Sequence, residues 1–201
     1  MCERIGIMGG TFSPIHFGHI KLAQAAYDEF SLDKVLFIPS GNSYLKNDVL
    51  DSRHRLEMTR LAVEGTEYFE VSTIEIDRVG NSYSFETLEE LKVIYPTSDL
   101  FFIVGADSFL YMDKWKEPSR IFENATILVA VRDDSTLEDL KVKRHEYFDR
   151  FKAKVEFLSI EHIDISSTDI RNSIINGEPI DGKVPESVIK YIENQKLYLK
   201  A

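Results

Sequence analysis

Two histidines, His16 and His19, stand three positions apart near the start of the sequence, and two glycines, Gly9 and Gly10, precede them. Imidazole N–H groups can donate hydrogen bonds to phosphate oxygens without the repulsion that a carboxylate would bring. Glycines let a backbone approach a ligand closely. We therefore predict that residues 9–19, called here the glycine–histidine loop, bind phosphate groups. The alternative is that the glycines only turn the chain and the histidines pack or cap.

Apolar periodicity predicts the elements that position this loop. Residues 4–8 form a short apolar run typical of a buried strand, and beyond the loop apolar residues recur at helical spacing from Ile20 to Phe30. A helix that begins near Phe17 would direct unpaired N–H groups and the positive end of its dipole towards the same space. Gly18, between the two histidines, would leave room for a bulky group.

Composition limits the classes of partner. The 201 residues include 34 acidic and 24 basic side chains, which gives a formal net charge of −10. This balance argues against nucleic acid or an anionic membrane surface as the main partner, so any phosphate site must be locally basic. One cysteine, Cys2, cannot form an internal disulfide, and the N-terminal residues lack a secretion-signal pattern. Because the longest apolar runs are also too short to span a bilayer, we expect a cytoplasmic protein.

The chain length and the apolar pattern predict one α/β domain over residues 1–201, with a small helical C-terminal part at about 163–201. Alternating apolar and polar residues at 69–76 predict a less buried strand or an edge strand. Other apolar runs are continuous, as expected of parallel strands that are covered on both faces. These runs are 34–39, 100–104 and 126–131.

Functional side chains follow several of these strands, at the sheet edge where open α/β sheets bind their ligands. Lys46, the one cation of the loop at 40–47, is either a phosphate contact or a solvated lysine. The carboxylate of Asp107 suits ribose hydroxyls, although it could instead cap a short helix at 108–113. Trp115 stands between two lysines, so its ring either stacks on a planar ligand or packs beneath the loop.

Two later helices begin with polar residues. Hydroxyl residues at 166–168 begin one of them, and Arg171 lies one turn further on. A plain N-cap explains one hydroxyl but not the run, so we predict a second anion site there. Ser52 is expected to cap the other helix. Its basic residues are interpreted as solvated or surface side chains: Arg53, His54, Arg55 and Arg60.

The glycine–histidine loop closely resembles the signature of the nucleotidylyltransferase superfamily, whose members carry a His/Thr-x-Gly-His box after the first strand of a Rossmann-like fold. Along nearly the whole chain, the motifs resemble those of the bacterial nicotinate-mononucleotide adenylyltransferases. Besides the loop, the matching segments are 55–62, 77–88, Gly105-Ala106-Asp107 with Trp115, and 165–171. The first and last boxes mark the superfamily, whereas 77–88 and Gly105-Ala106-Asp107 with Trp115 mark the family.

This resemblance implies a Rossmann-like, doubly wound fold. It also implies Mg²⁺-assisted transfer of adenylate from ATP to nicotinate mononucleotide, which gives deamido-NAD and pyrophosphate. The implied catalytic residues are His16, His19 and Arg171. The implied ATP-binding residues are Gly9, Gly10, Thr11, Gly18, Gly105, Asp107, Ser167, Thr168 and Ile170. The implied mononucleotide-binding residues are Phe12, Lys46, Tyr83, Ser84, Thr87 and Trp115.

The chemistry of such a transfer agrees with these residues. Direct in-line attack of one phosphate on another requires positioning and charge neutralisation, and no side-chain nucleophile. The sequence contains no Gly-x-Ser-x-Gly elbow and no cysteine beside a base. Mg²⁺ is expected among phosphates and waters, so no protein metal site is predicted.

Three departures from the family pattern leave the acceptor open. Ser13 stands where the family usually has aspartate, residues 43–46 replace a Pro-Pro-His-Lys run, and Ser84 and Glu86 stand where threonine and aspartate are usual. The second change removes a histidine from the substrate loop. Alternative acceptors are nicotinamide mononucleotide, phosphopantetheine and a sugar phosphate. The alternative class is a regulator that binds nucleotides without catalysis, and a homo-oligomer is also left open.

Overall fold

A parallel sheet places the glycine–histidine loop at its carboxyl edge. The computed structural model describes residues 2–41, 50–131, 137–160 and 164–199. The strands are β1 (Arg4–Gly10), β2 (Lys34–Pro39), β3 (Phe69–Val71), β4 (Asp99–Gly105), β5 (Thr126–Val131) and β6 (Val155–Ser159). Within the described residues their order is β3-β2-β1-β4-β5-β6, and every neighbouring pair is parallel.

Helices connect and follow the strands. They are α1 (Phe17–Glu29), α2 (Ser52–Val63), α3 (Ser84–Ile94), α4 (Ala106–Leu110), α5 (Pro118–Asn124), α6 (Leu137–Phe151), α7 (Ser167–Asn176) and α8 (Glu186–Asn194), with a 3₁₀ turn at Met112–Lys114. Across the described ranges, none of these helices has both the length and the apolarity that crossing a membrane requires.

Successive residues of the central strands alternate between two apolar layers. In β5, Ile127 and Val129 pack with α3 to α6, whereas Leu128 and Ala130 pack with α1, α2, α7 and α8. Each fully buried side chain of this size contributes about 1.5–3 kcal/mol, so both faces of the sheet require a helical cover. The predicted α/β, doubly wound fold is therefore confirmed, and α7 and α8 belong to one of its two layers.

The edge strand is shorter than its pattern indicates. β3 lies at the edge of the sheet, as the alternation at 69–76 predicts, but it ends at Val71. Beyond it the chain turns, because the N–H of Asp77 donates to the carbonyl of Thr73 (2.9 Å) and the Thr73 hydroxyl donates to the Asp77 carboxylate (2.6 Å). The second half of the predicted strand is therefore free to line a cavity.

The chain direction places two predicted ligand segments beside one another. β1 pairs with β2 on one side and with β4 on the other, so the order of the strands reverses at β1. Ligands of open α/β sheets bind in the crevice outside the carboxyl ends of strands at such a point. The glycine–histidine loop follows β1 and Asp107 follows β4, so both lie at this crevice.

Candidate active site

The two imidazoles of the glycine–histidine loop stack on each other. The ring centroids of His16 and His19 lie 3.7 Å apart, with an angle of 28° between the planes. The backbone N–H of His16 donates to Nδ1 of His19 over 3.3 Å. A neutral imidazole that accepts at Nδ1 carries its proton on Nε2, so the loop itself selects the tautomer of His19. Two imidazoles are thus positioned side by side directly after β1.

Two glycines of this loop are required by neighbouring rings. A Cβ on Gly18 would lie 2.9 Å from Nδ1 of His16, and a Cβ on Gly10 would lie 2.6 Å from the Phe12 ring. The space that Gly18 was expected to leave for a bulky group therefore accommodates the His16 ring. Phe12 has a φ of 49° and buries its ring edge-on against His19. Only the backbone of Phe12 is thus placed for the substrate contact that the resemblance implies.

The start of α1 is less open than the sequence predicts. The N–H of Phe17 donates to the carbonyl of Lys183 over 2.9 Å, and the N–H of His19 donates to the carbonyl of His16 over 3.0 Å. These two groups are therefore used within the protein, and the helix start offers fewer donors to an anion than expected. The bond to Lys183 instead ties the loop to the C-terminal part of the chain.

Arg55 stabilises the loop through hydrogen bonds to backbone carbonyls. Its guanidinium donates to the carbonyls of Thr11 (2.8 Å), Leu50 (2.8 Å) and Gly41 (3.2 Å). The residue is only 2 % exposed, and burial lowers the pKa of its guanidinium. The prediction that Arg55 belongs to a solvated face is therefore wrong. A fork of N–H donors instead joins the carboxyl ends of β1 and β2 to the start of α2.

Helix α7 begins against the same loop. The Ser167 hydroxyl donates to the carbonyl of Pro14 over 2.9 Å, and Arg171 donates to the carbonyl of Ser13 over 2.8 Å and to the Thr168 hydroxyl over 3.2 Å. These bonds use two of the five N–H groups of the Arg171 guanidinium. The segment that was predicted as a second anion site therefore lies in direct contact with the first.

The remaining residues of this segment serve the fold. Ile170 is fully buried in the apolar layer, and the Ser166 hydroxyl caps α7 by accepting from the N–H of Asp169. Further along, the hydroxyls of Tyr198 and Ser13 lie 3.1 Å apart. Burial raises the pKa of Tyr198 to about 12, so its phenol stays protonated at neutral pH. Ser13, which replaces the usual aspartate, thus has a neutral partner.

A cavity of about 220 Å³ extends from this loop across the carboxyl edge of the sheet. Its walls come from three distant segments of the chain. The β1 end and the β2 end contribute Ile7, Gly9, Gly10, Thr11, Ile38 and Ser40; the segment at 75–88 contributes Glu75, Ser82, Tyr83, Ser84, Thr87 and Leu88; and the remaining wall is Phe102, Trp115, Lys116 and Ile121. The cavity thus brings four of the six residues predicted to bind the mononucleotide together.

Aromatic rings from later segments of the chain form a second part of the cavity wall. Trp115 packs edge-on against Phe102, with ring centroids 6.3 Å apart, and part of its surface stays accessible. Tyr83 precedes α3, and the ammonium of Lys116 lies 4.4 Å from the centre of its ring. We call Tyr83, Trp115 and Lys116 the aromatic end. Trp115 therefore packs against Phe102 and also lines the cavity, and its stacking on a planar ligand stays a prediction.

A partly buried carboxyl group, that of Glu75, lies in the cavity wall. Glu75 accepts a hydrogen bond from the Thr87 hydroxyl (2.8 Å) and another from the backbone N–H of Gly41. Arg78 donates to the same Thr87 hydroxyl over 3.2 Å. Desolvation is the largest influence on Glu75 and raises the pKa of its carboxyl group. Thr87, predicted as a substrate contact, is buried and bonded within the protein.

The residues predicted to bind the ATP ribose lie after β4. Gly105 ends the strand and precedes α4, and a Cβ there would meet no atom within 4 Å. Asp107 is exposed in the first turn of α4. The N-cap is Gly105, so the alternative role of Asp107 as a helix cap is not observed. In the described structure its carboxylate forms neither a helix cap nor an ion pair.

Two predictions concern cations. Lys46 lies outside the described residues. Among the described residues, no three His, Cys, Asp or Glu side chains are grouped closely enough to bind a metal ion.

Comparison with known proteins shows the family to which the chain belongs. The model of the cytidylyltransferase-like family matches residues 7–173. A protein of Lachnoclostridium phytofermentans named "Probable nicotinate-nucleotide adenylyltransferase" is 37% identical over 199 residues, which covers 98% of this chain and 100% of that protein. A protein of Desulfitobacterium hafniense strain Y51 with the same name is 42% identical, with 98% and 96% covered. The chain belongs to the nicotinate-nucleotide adenylyltransferases of the cytidylyltransferase-like family.

Solved structures agree on the fold of this adenylyltransferase. The structure described as Plasmodium falciparum nicotinic acid mononucleotide adenylyltransferase complexed with NaAD superposes with a TM-score of 0.81 over 98% of this chain and 97% of that one, at 18% identity. The predicted family and the predicted enzyme class, a nucleotidyltransferase, are both confirmed. The individual site assignments remain predictions.

Three residues of the adenylyltransferase site were missed from the sequence. Arg55 had a detectable signal, because the buried residues of α2 include Arg55, Met58 and Thr59, which share one helix face. Glu75 had none, since an acidic residue in an alternating strand pattern normally faces solvent. Lys116 was noticed only as a neighbour of the tryptophan.

Proposed function

We propose that this adenylyltransferase transfers the adenylate of ATP to nicotinate mononucleotide, giving deamido-NAD and pyrophosphate in NAD biosynthesis. The relatives named above support the substrate, and the similar Plasmodium structure holds NaAD. The observation that carries the proposal is the cavity that joins the glycine–histidine loop to Trp115.

The two ends of this cavity match the two ends of a pyridine mononucleotide. Gly9, Gly10 and Thr11 contribute the loop part of the wall, and Trp115 contributes an aromatic part. A phosphate at the first end would meet closely approaching backbone, and a planar ring at the second end would stack on the indole face. The apolar side chains of Leu88 and Phe102, which line the same cavity, suit a desolvated ring better than a charged group.

The reaction requires two anions to meet. A mononucleotide phosphate oxygen attacks the α-phosphorus of ATP in line, its bond to phosphorus forms, and the bond to the pyrophosphate oxygen breaks. His16 and His19 would donate to phosphate oxygens, and the N–H groups of Arg171 that the loop carbonyl does not use would neutralise charge on the leaving pyrophosphate. No covalent intermediate with the enzyme is needed.

The adenosine side of ATP would lie beyond β4. Gly105 leaves open space above the strand end, and the exposed Asp107 carboxylate can accept hydrogen bonds from two ribose hydroxyls. Ser167 and Thr168 stand at the start of α7, where backbone N–H groups and the helix dipole favour phosphate. These placements would put the α-phosphorus between the loop and α7.

Mg²⁺ would be coordinated mainly by phosphate oxygens and water. The groups around the loop are imidazoles, hydroxyls and N–H donors, which suit phosphate oxygens, whereas a protein cage for Mg²⁺ would require several carboxylates. When bound, the ion would offset negative charge on the triphosphate. The protein residues still perform the positioning.

A pyrophosphate-release assay tests the proposal. Purified protein is given ATP and Mg²⁺ with nicotinate mononucleotide, nicotinamide mononucleotide or phosphopantetheine, and the dinucleotide product is identified by mass. We expect the highest kcat/KM with nicotinate mononucleotide. Turnover of neither pyridine nucleotide would reject the proposal, and nucleotide binding without pyrophosphate release would favour a regulator.

We also propose a cytoplasmic location with small nucleotides as partners. The net charge of −10 supports it, because such a surface repels nucleic acid and anionic lipid alike.

A further inference from the structure

Charge is unevenly distributed along the cavity. Of the residues that line it in the described structure, Glu75 and Lys116 are the ones that carry a formal charge. The Glu75 carboxyl already accepts hydrogen bonds from Thr87 and from the N–H of Gly41, so its bonding capacity is directed into the protein. The ammonium of Lys116 therefore dominates the charge that a ligand meets at the aromatic end.

Lys116 is positioned by a ring rather than by a carboxylate. Its Nζ lies 4.4 Å from the centre of the Tyr83 ring, which is cation–π geometry. Within the described residues, no carboxylate forms an ion pair with it. Lys114, on the other side of Trp115, has its Nζ 3.6 Å from the Asp113 carboxylate, is 76 % exposed at its side chain and does not line the cavity. Of these two lysines, one is therefore available to a ligand anion and the other is not.

The two pyridine mononucleotides differ in one feature that a cation can detect. Nicotinate carries a carboxylate on its ring, nicotinamide carries a neutral amide, and both carry the same phosphate. The phosphate must lie near the glycine–histidine loop, because it attacks an α-phosphorus beside the two histidines. Lys116 directly follows Trp115, the proposed stacking surface for the pyridine ring, and its ammonium lies over the Tyr83 ring, so on the proposed function it would face the ring substituent.

We propose that Lys116 is a specificity-determining residue, whose ammonium pairs with the ring carboxylate and so favours the acid over the amide. The inference rests on the proposed function and deepens it. The Tyr83 ring holds the ammonium beside the cavity, and a bound carboxylate replaces this weak contact by a charge-assisted hydrogen bond. An amide offers no such gain.

The experiment compares kcat/KM for the two mononucleotides at saturating ATP and Mg²⁺. The proteins are wild type, Lys116→Gln, Lys116→Arg and the matched control Lys114→Gln. In Lys116→Gln the acid-to-amide ratio should fall about tenfold, between the few-fold effect of an exposed ion pair and that of a buried charged hydrogen bond. Lys116→Arg should retain most of the ratio, and Lys114→Gln should match wild type. Thermal unfolding of each variant checks that the fold is intact.

Each other outcome overturns the inference in a recognisable way. An equal loss with both mononucleotides would mean that Lys116 acts on the shared phosphate or on packing. An unchanged ratio would mean that its charge is not sensed. Wild-type protein that turns over the amide as well as the acid would overturn the inference and leave adenylyl transfer standing, whereas wild type that turns over neither would reject the proposed function itself.

Discussion

The two ends of the cavity are stabilised by different interactions. At the glycine–histidine loop, Arg55 and Arg171 donate to backbone carbonyls of Thr11 and Ser13, and rings close over the glycines. At the aromatic end, side chains contact one another through ring edges, ring faces and a single ammonium. One end is fixed through its backbone, and the other through replaceable side chains.

The difference agrees with what each end would recognise if the proposed function is correct. Transfer of an adenylyl group requires donors that do not reorganise as charge develops, and a backbone held by two guanidinium groups meets that need. Recognition of a ring depends on which side chains surround it, and those can change without moving the strands. We therefore expect substitutions at the loop to reduce turnover and substitutions at the aromatic end to change substrate affinity.

The largest effect should come from His19→Ala. Removing one preorganised donor to a charged transition state costs about 10²–10³-fold in kcat. The matched control is His145→Ala, since that histidine is 80 % exposed on α6 and should tolerate the change. Steady-state pyrophosphate release measures both. Full turnover by the His19 variant would remove the loop imidazoles from the mechanism.

The second largest effect should come from Arg55→Met, which tests whether Arg55 stabilises the fold through its hydrogen bonds to backbone carbonyls. The change leaves three backbone carbonyls without their donor, so the free energy of unfolding should fall by about 3 kcal/mol. Urea unfolding at neutral pH measures the loss. Arg60→Met on the same helix is the control, because Arg60 is half exposed and has one long contact to Glu57. Equal losses in the two variants would contradict the clamp.

Trp115→Ala tests the aromatic end. Loss of ring stacking should raise KM for the mononucleotide about 30-fold, with a much smaller change in KM for ATP. Tyr111→Ala, an exposed aromatic four positions earlier, should leave both constants unchanged. A Trp115 variant that loses kcat and keeps its KM would contradict the assignment of substrate affinity to the aromatic end and of turnover to the loop.

The smallest effect should come from Glu75→Gln and should depend on pH. Desolvation raises the pKa of Glu75 above its ordinary 4.5, so the fold disfavours the ionised carboxylate. Wild type should therefore lose stability relative to the variant as pH rises from 4.5 through the raised pKa. Unfolding in urea at pH 4 and pH 8 measures the difference.

Glu146→Gln provides a control of opposite sign for that measurement. Hydrogen bonds from Lys143 and Arg150 lower the pKa of Glu146, so wild type gains rather than loses relative to this variant as pH rises through 4.5. The same trend in both variants would mean that the pH response does not come from the burial of Glu75.

The sequence predicted the loop end of the cavity better than the aromatic end. The strand, the glycines, the histidines and the helix of the loop are contiguous, so local pattern is sufficient to predict them. Glu75 became part of a cavity wall only because β3 ends early, and Lys116 because α3 brings Tyr83 beneath it. Arg55 was predicted to be solvated because it is charged, although it lies on the buried face of α2. The positions of these three residues depend on tertiary contacts, which a local sequence pattern does not predict.

The residues that fix the glycine–histidine loop are synthesised long after the loop itself. The bonds that fix Ser13 and Pro14 come from Ser167, Arg171 and Tyr198, between 153 and 185 positions later in the chain. At ribosomal rates of about 5–20 residues per second, these partners emerge on the order of 10–40 s after the loop itself. A nascent chain therefore carries residues 13 and 14 without these three hydrogen-bond partners until residues 167–198 have been synthesised.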